Sequence, residues 1–326
     1  VNQRGGRHGF DRVGLLKDLR GGLLDGGLAV AVTSVVFGWL YIRVRAGTSP
    51  TIAVMPFLAD ADTYRLYWLC QAFGWSALLW SWLTVVLGLL VSGGGPRRLP
   101  VAGARLERWH RATSLNALVL MFAHAFLFFA EEARDNQENL GWPGRLGAAF
   151  VKAFVPGGYA SGTGAVAILI GLVAFYLAIP LGLAFYLRRR IGTKAWRVLH
   201  RFVIVIYALS VWHTLLYGTN VWYDGPFRTL VWLLQVPIAV LLLARMVAPA
   251  RASERLPTTG RLAWVAARAA VAATIVALVA VVVTGRDGGR IPGAVSAPLN
   301  TTAEMVWGGL ALLLLLMAAA VRGARS

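Results

Sequence analysis

The sequence predicts an all-α, polytopic membrane helix bundle. Three observations carry this. Of 326 residues, 58% are hydrophobic and only 14% charged, against about 25% charged in soluble domains. The apolar residues gather into stretches long enough to cross a hydrocarbon core of about 30 Å as helices. The charges that remain lie between those stretches or toward their ends.

Eight spans are expected. Leu28–Ile42 is short and needs its flanks to cross. Tyr64–Val91, Trp109–Ala130 and Ala165–Leu187 follow, then Leu199–Tyr217, Phe227–Val247, Leu262–Thr284 and Met305–Val321. The first lacks a small-x-small cleavage site and reads as a retained span rather than a signal peptide. Pro180 is expected to kink the fourth helix. Trp142 fits an interfacial aromatic belt.

Lys and Arg exceed Asp and Glu by 18, which in a soluble protein would suggest nucleic acid. Here the location of the charge gives another reading. The N-terminal tail, the loop ending at Arg111, the stretches Arg188–Arg201 and Arg245–Arg268 and the C-terminus hold 23 of the 32 basic residues, and the alternate loops hold nine. Basic residues are retained on the cytoplasmic side. Both termini are therefore expected in the cytoplasm and the acidic loop Glu131, Glu132, Asp135 and Glu138 outside, with a lipid membrane and no nucleic acid as partner.

Other chemistry is excluded by what is missing. The single cysteine, Cys70, rules out a disulfide framework within the chain, a Cys-rich zinc or iron-sulfur site and covalent c-type haem attachment. Ser92–Pro96 is Gly-rich but lacks the Gly-Lys-Ser/Thr ending of a phosphate loop, and no Gly-x-Gly-x-x-Gly follows a strand. Asn300-Thr301-Thr302 matches a glycosylation sequon, to which the bacterial character of the Ala-, Arg- and Gly-rich composition gives little weight.

The histidines carry the chemistry. Four of the five fall on two spans: His110 and His124 on the third, His200 and His213 on the fifth, with offsets of 14 and 13. At about 1.5 Å rise per residue each helix holds two imidazoles about 20 Å apart, too far to share one metal ion. Both spans start in the cytoplasm and so run parallel, which puts His110 level with His200 and His124 level with His213. Two neutral imidazoles facing each other across a gap at each level form a bis-His b-type haem site. Histidines that hydrogen-bond across helices leave the alternative of a non-redox membrane scaffold. A proton path prefers carboxylates, and the interiors of the predicted spans have none. One geometric difficulty is plain: 14 residues return to within about 40° of the starting direction, whereas 13 miss it by about 140°. Tilt or a local bulge must supply the difference.

These paired histidines, at these offsets on the third and fifth spans, resemble the ferric reductase-like transmembrane domain shared by ferric reductases and NADPH oxidases. The resemblance covers about residues 28–248. It implies a six-helix di-haem core plus two additional C-terminal helices. It also implies electron flow from a cytoplasmic flavin through an inner haem b on His110 and His200 and an outer haem b on His124 and His213, to an acceptor such as a ferric chelate, oxygen or a partner protein. Haem propionates need cations, which makes Arg111, Arg197 and Arg201 candidates at the inner level and Arg65 at the outer. Tyr207, Met121 and Phe122 are candidates to fill the space between the porphyrins.

The chain departs from those enzymes after the sixth span. Where they continue into a flavin and nicotinamide domain, Arg251 to Arg261 and two more spans follow here. The donor is then expected to be a separate flavoprotein or a quinol, with the flavin or quinone supplied by that partner. A second resemblance is to the haem-binding membrane subunit of the bacterial methionine sulfoxide reductase system, which serves a molybdopterin partner outside. The expected organisation is a basic cytoplasmic tail over 1–25, the haem-binding core over 26–248, a cytoplasmic linker over 249–261 and two C-terminal helices with a short tail over 262–326.

Overall fold

The computed structural model describes residues 9–92, 103–160, 164–221, 225–247, 272 and 301–325. Among these residues the regular structure is helical, with no strand. An amphipathic helix α1 (Arg12–Gly21) is capped by the Asp11 carboxylate, which accepts the Gly14 N–H at 2.9 Å. After the bend at Gly22, α2 (Leu23–Arg45) is followed by a short α3 (Pro50–Val54) and a 3-10 turn. Then come α4 (Arg65–Ser92), α5 (Gly103–Asp135), a shorter α6 (Trp142–Phe154) and α7 (Gly164–Leu183). A short α8 (Arg188–Ile191) leads to α9 (Thr193–Arg201), α10 (Val203–Tyr217), α11 (Pro226–Leu233), α12 (Gln235–Val247) and, later in the chain, α13 (Ala303–Arg325).

Seven segments among the described residues are long and apolar enough to cross a membrane: α2, α4, α5, α7, α9 with α10, α11 with α12, and α13. They coincide with seven of the eight expected spans, and the chain is a multi-pass membrane protein. The remaining expected span, Leu262–Thr284, and the linker before it lie outside the described residues apart from Ala272.

The bundle is organised around α4, α5, α7 and α10. Helix α7 has no charged residue and is apolar on all sides, the pattern of a helix enclosed by others. Leu169, Ile170, Val173, Ala174, Leu177 and Leu181 are buried against Ile206 of α10, and Leu310 and Leu313 of α13 pack on the outside of this cluster. Ala77 and Trp80 of α4 meet Ala117 and Leu120 of α5 in a second cluster that also takes in Ala29 of α2.

Two spans are broken for identifiable reasons. Pro237 has no N–H for the carbonyl of Leu233, and α11 gives way to α12 at Leu234, whose carbonyl accepts the Trp82 indole N–H at 2.6 Å. The fifth span breaks at Phe202. Phe202 N–H bonds to Leu199 and Val205 N–H to Phe202, both at 3.0 Å, which is the i to i−3 pattern of 3-10 winding. Each residue so wound turns about 120° rather than 100°, and the extra rotation shrinks the angular miss expected between His200 and His213.

Two expectations about acidic residues are corrected. Asp25 belongs to the first turn of α2 rather than to the tail, and its Oδ2 accepts the Trp80 Nε1–H at 2.9 Å and an Asn116 Nδ2–H at 2.6 Å. Those two donors make a carboxylate tolerable inside the bundle. Likewise Glu131, Glu132 and Asp135 lie on the last turns of α5 instead of in a loop, with Glu138 alone beyond it. Their charge is met locally: Arg134 bonds both Glu131 oxygens at 2.5 and 3.1 Å, and Lys152 of α6 lies 3.3 Å from Glu132 and 3.7 Å from Glu138.

Candidate functional site

The four span histidines come together as two pairs. Ring centroids of His110 and His200 are 5.8 Å apart, and those of His124 and His213 are 6.1 Å apart. Matching partners at both ends requires α5 and the span formed by α9 and α10 to run parallel. On α5 the two levels are separated by 14 residues, about 20 Å along the axis.

Three of the rings are fixed by the same device. His110 Nδ1 bonds to the Thr84 carbonyl at 2.9 Å, His124 Nδ1 to the Cys70 carbonyl at 2.8 Å and His213 Nδ1 to the Ala167 carbonyl at 2.7 Å. Four residues after each of those carbonyls stands a glycine. A Cβ on Gly88 would come within 3.0 Å of His110 Cε1, one on Gly74 within 3.0 Å of His124 Nδ1, and one on Gly171 within 2.8 Å of His213 Nδ1. The absent side chain lets the ring lie against the neighbouring backbone, and the exposed lone pair of the carbonyl takes the Nδ1 proton. This fixes the tautomer, with the proton on Nδ1 and the lone pair on Nε2.

His200 differs. Among the described residues its ring makes no such carbonyl bond and instead lies 5.7 Å from the Trp196 ring, tilted by 30°.

A cavity of about 150 Å³ opens beside His124 and His213, walled by Tyr67, Gln71, Gly74, Met121, Gly171 and Phe175 among others. Its lining is mostly apolar, with Tyr67 and Gln71 at one side joined by a bond of 3.0 Å from Gln71 Nε2 to the phenol oxygen. Gln71 Oε1 in turn accepts from Asn220 Nδ2 at 2.8 Å. Among the described residues no group of three or more His, Cys, Asp or Glu could hold a metal ion.

Arg111 lies 3.4 Å from Asp18 of α1, which also accepts the Tyr186 hydroxyl at 2.9 Å. Burial, reinforced by that carboxylate, holds the Tyr186 phenol well above its ordinary range. Arg197 and Arg201 are exposed on α9, and Arg65 is exposed at the start of α4. Of the residues expected between the levels, Met121 lies in the interior and lines the cavity, whereas Phe122 is 53% exposed and Tyr207 donates to Gln235 at 2.7 Å, toward α12.

The three glycines escaped sequence reasoning although they left a signal. Gly74 and Gly88 are 14 residues apart on the second span, the same offset as His124 and His110 on the third.

Residues 73–211 match the family described as ferric reductase like transmembrane component. This segment carries a ferric reductase-like transmembrane domain. It contains His110, His124 and His200 and stops two residues before His213. No curated protein and no solved structure matches the chain.

Proposed function

We propose that the chain is a transmembrane electron conduit that holds one b-type haem between His110 and His200 and a second between His124 and His213. The ring separations of 5.8 and 6.1 Å carry this reading. Two metal–imidazole bonds of about 2 Å each put the coordinating nitrogens about 4 Å apart, and a ring radius at either end brings the centroids to about 6 Å. The glycines support it as well, because a Cβ at Gly74, Gly88 or Gly171 would push an imidazole out of line. The ferric reductase-like segment suggests the same class of function.

When bound, the two groups supply one-electron redox chemistry at two depths. The residues do the rest. The Thr84, Cys70 and Ala167 carbonyls hold three imidazoles in the coordinating tautomer and raise their basicity. Met121 and the small residues of α4 and α7 exclude water from the second level. With the basic loops in the cytoplasm, His110 and His200 lie on the cytoplasmic side, where a separate flavoprotein or a quinol delivers electrons. His124 and His213 then lie toward an extracytoplasmic acceptor, either a small oxidant or a partner protein. Arg197, one turn before His200, is the rim cation best placed for a propionate at the first level.

The test is an optical spectrum of the purified chain, oxidised and dithionite-reduced, with pyridine haemochrome quantification. Two low-spin b haems per chain are expected. Protein that stays haem-free after expression with ample haem would overturn the reading.

A further inference from the structure

The asymmetry between His200 and the other three rings has its origin in α7. Helix α4 offers a carbonyl and a glycine twice, Cys70 with Gly74 and Thr84 with Gly88, spaced 14 residues apart to serve both levels. Helix α7 offers the combination once, as Ala167 with Gly171 for His213. It runs antiparallel to α10, so the residues opposite His200 lie about 13 further along, at Pro180 and Ala184. There the pattern fails. Position 184 carries a buried methyl instead of a hydrogen, and α7 has already ended at Leu183, three residues past Pro180.

The helix that carries His200 is also the shortest of those bearing the four rings. Helix α9 is nine residues long, starts after Gly192 at a φ of 92° and is separated from α10 by the break at Phe202. His200 is its penultimate residue.

The geometry points to His200 as a displaceable ligand: the His110–His200 level is a binding site for a small diatomic molecule, which takes the place of the His200 imidazole. This rests on the haem reading above. Carboxylate or carbonyl partners of a ligating histidine typically contribute about 10–100-fold to metal affinity or activity, and among the described residues His200 is the one ring of the four without such a partner. The exchange is balanced without an oxidant or reductant. The bond between ferrous iron and His200 Nε2 breaks, the neutral imidazole leaves with α9, and a bond to the neutral diatomic forms while the iron stays ferrous.

Carbon monoxide added to the dithionite-reduced full chain in detergent tests this. One molecule is expected to bind per chain, converting half of the haem absorbance. The binding rate should level off at high carbon monoxide, because departure of the imidazole becomes limiting. In His200→Gly the stoichiometry should stay at one while the plateau disappears and binding quickens at least tenfold. Two haems per chain with no carbon monoxide difference spectrum would overturn the inference and leave the haem reading standing. The same holds if the plateau is lifted by His213→Gly and not by His200→Gly. Haem-free protein would remove the reading and the inference together. Should the glycine variant fail to fold, the stoichiometry and the plateau of the unaltered chain still decide.

Discussion

Gly171 lies directly against His213: a methyl group on Gly171 would stand 2.8 Å from the imidazole Nδ1, inside van der Waals contact. The ring is held in that contact by Nδ1, which bonds to the Ala167 carbonyl one turn away on the same helix at 2.7 Å.

Gly171→Ala is therefore expected to push the ring off that carbonyl at an overpacking cost of about 1–3 kcal/mol, and to release the haem proposed for this level. Haemochrome quantification should fall from two haems per chain to one. Gly27→Ala is the control, because nothing lies within 4 Å of a Cβ there and alanine is the better helix former. If both variants keep two haems, the contact does not position the ring.

The two levels should be separable by single substitutions. His124→Ala and His110→Ala each remove one ligand of one pair, and the pairs are about 20 Å apart along α5. Each variant should keep one low-spin haem, and their reduced-minus-oxidised spectra should sum to that of the unaltered chain. Loss of both haems from either variant would argue against independent sites.

Seven of the spans and the two histidine levels were legible in the sequence because both rest on features a linear chain displays directly: apolar length, and offsets of 14 and 13 on two parallel spans. What was not legible depended on the neighbouring helix. The break at Phe202 has no proline or glycine to announce it. Asp25 was counted with the tail because its two hydrogen-bond donors, Trp80 and Asn116, stand 55 and 91 residues away. The Asp18 carboxylate 3.4 Å from Arg111 was equally hidden, because α1 brings it there from 93 residues away.

Asp25 can be tested as a joint between α2, α4 and α5. In Asp25→Ala the buried indole N–H of Trp80 and the Asn116 amide lose their shared acceptor, which typically costs about 1–3 kcal/mol. Thermal unfolding in detergent should show a lowered midpoint, and Asp25→Asn, which keeps an acceptor oxygen, should recover much of it. An unchanged midpoint in the alanine variant would mean that water or lipid headgroups satisfy both donors.

The Lys152 contact gives a pH dependence of defined sign. Burial works to lower the ammonium pKa, but Glu132 and Glu138, at 3.3 and 3.7 Å, outweigh it and raise the group above its ordinary 10.5. A cation whose folded-state pKa is raised contributes stability that is fully present below its unfolded value and is lost as pH rises through the folded one. The link between α6 and the end of α5 should thus be intact at neutral pH and weaken only in strong alkali. Lys152→Met should lower the unfolding midpoint at pH 8, and the deficit should shrink as pH rises through the raised folded-state value, where the unaltered chain loses the same charge. A deficit that persisted undiminished in alkali would assign the effect to packing of the lysine stem rather than to its charge.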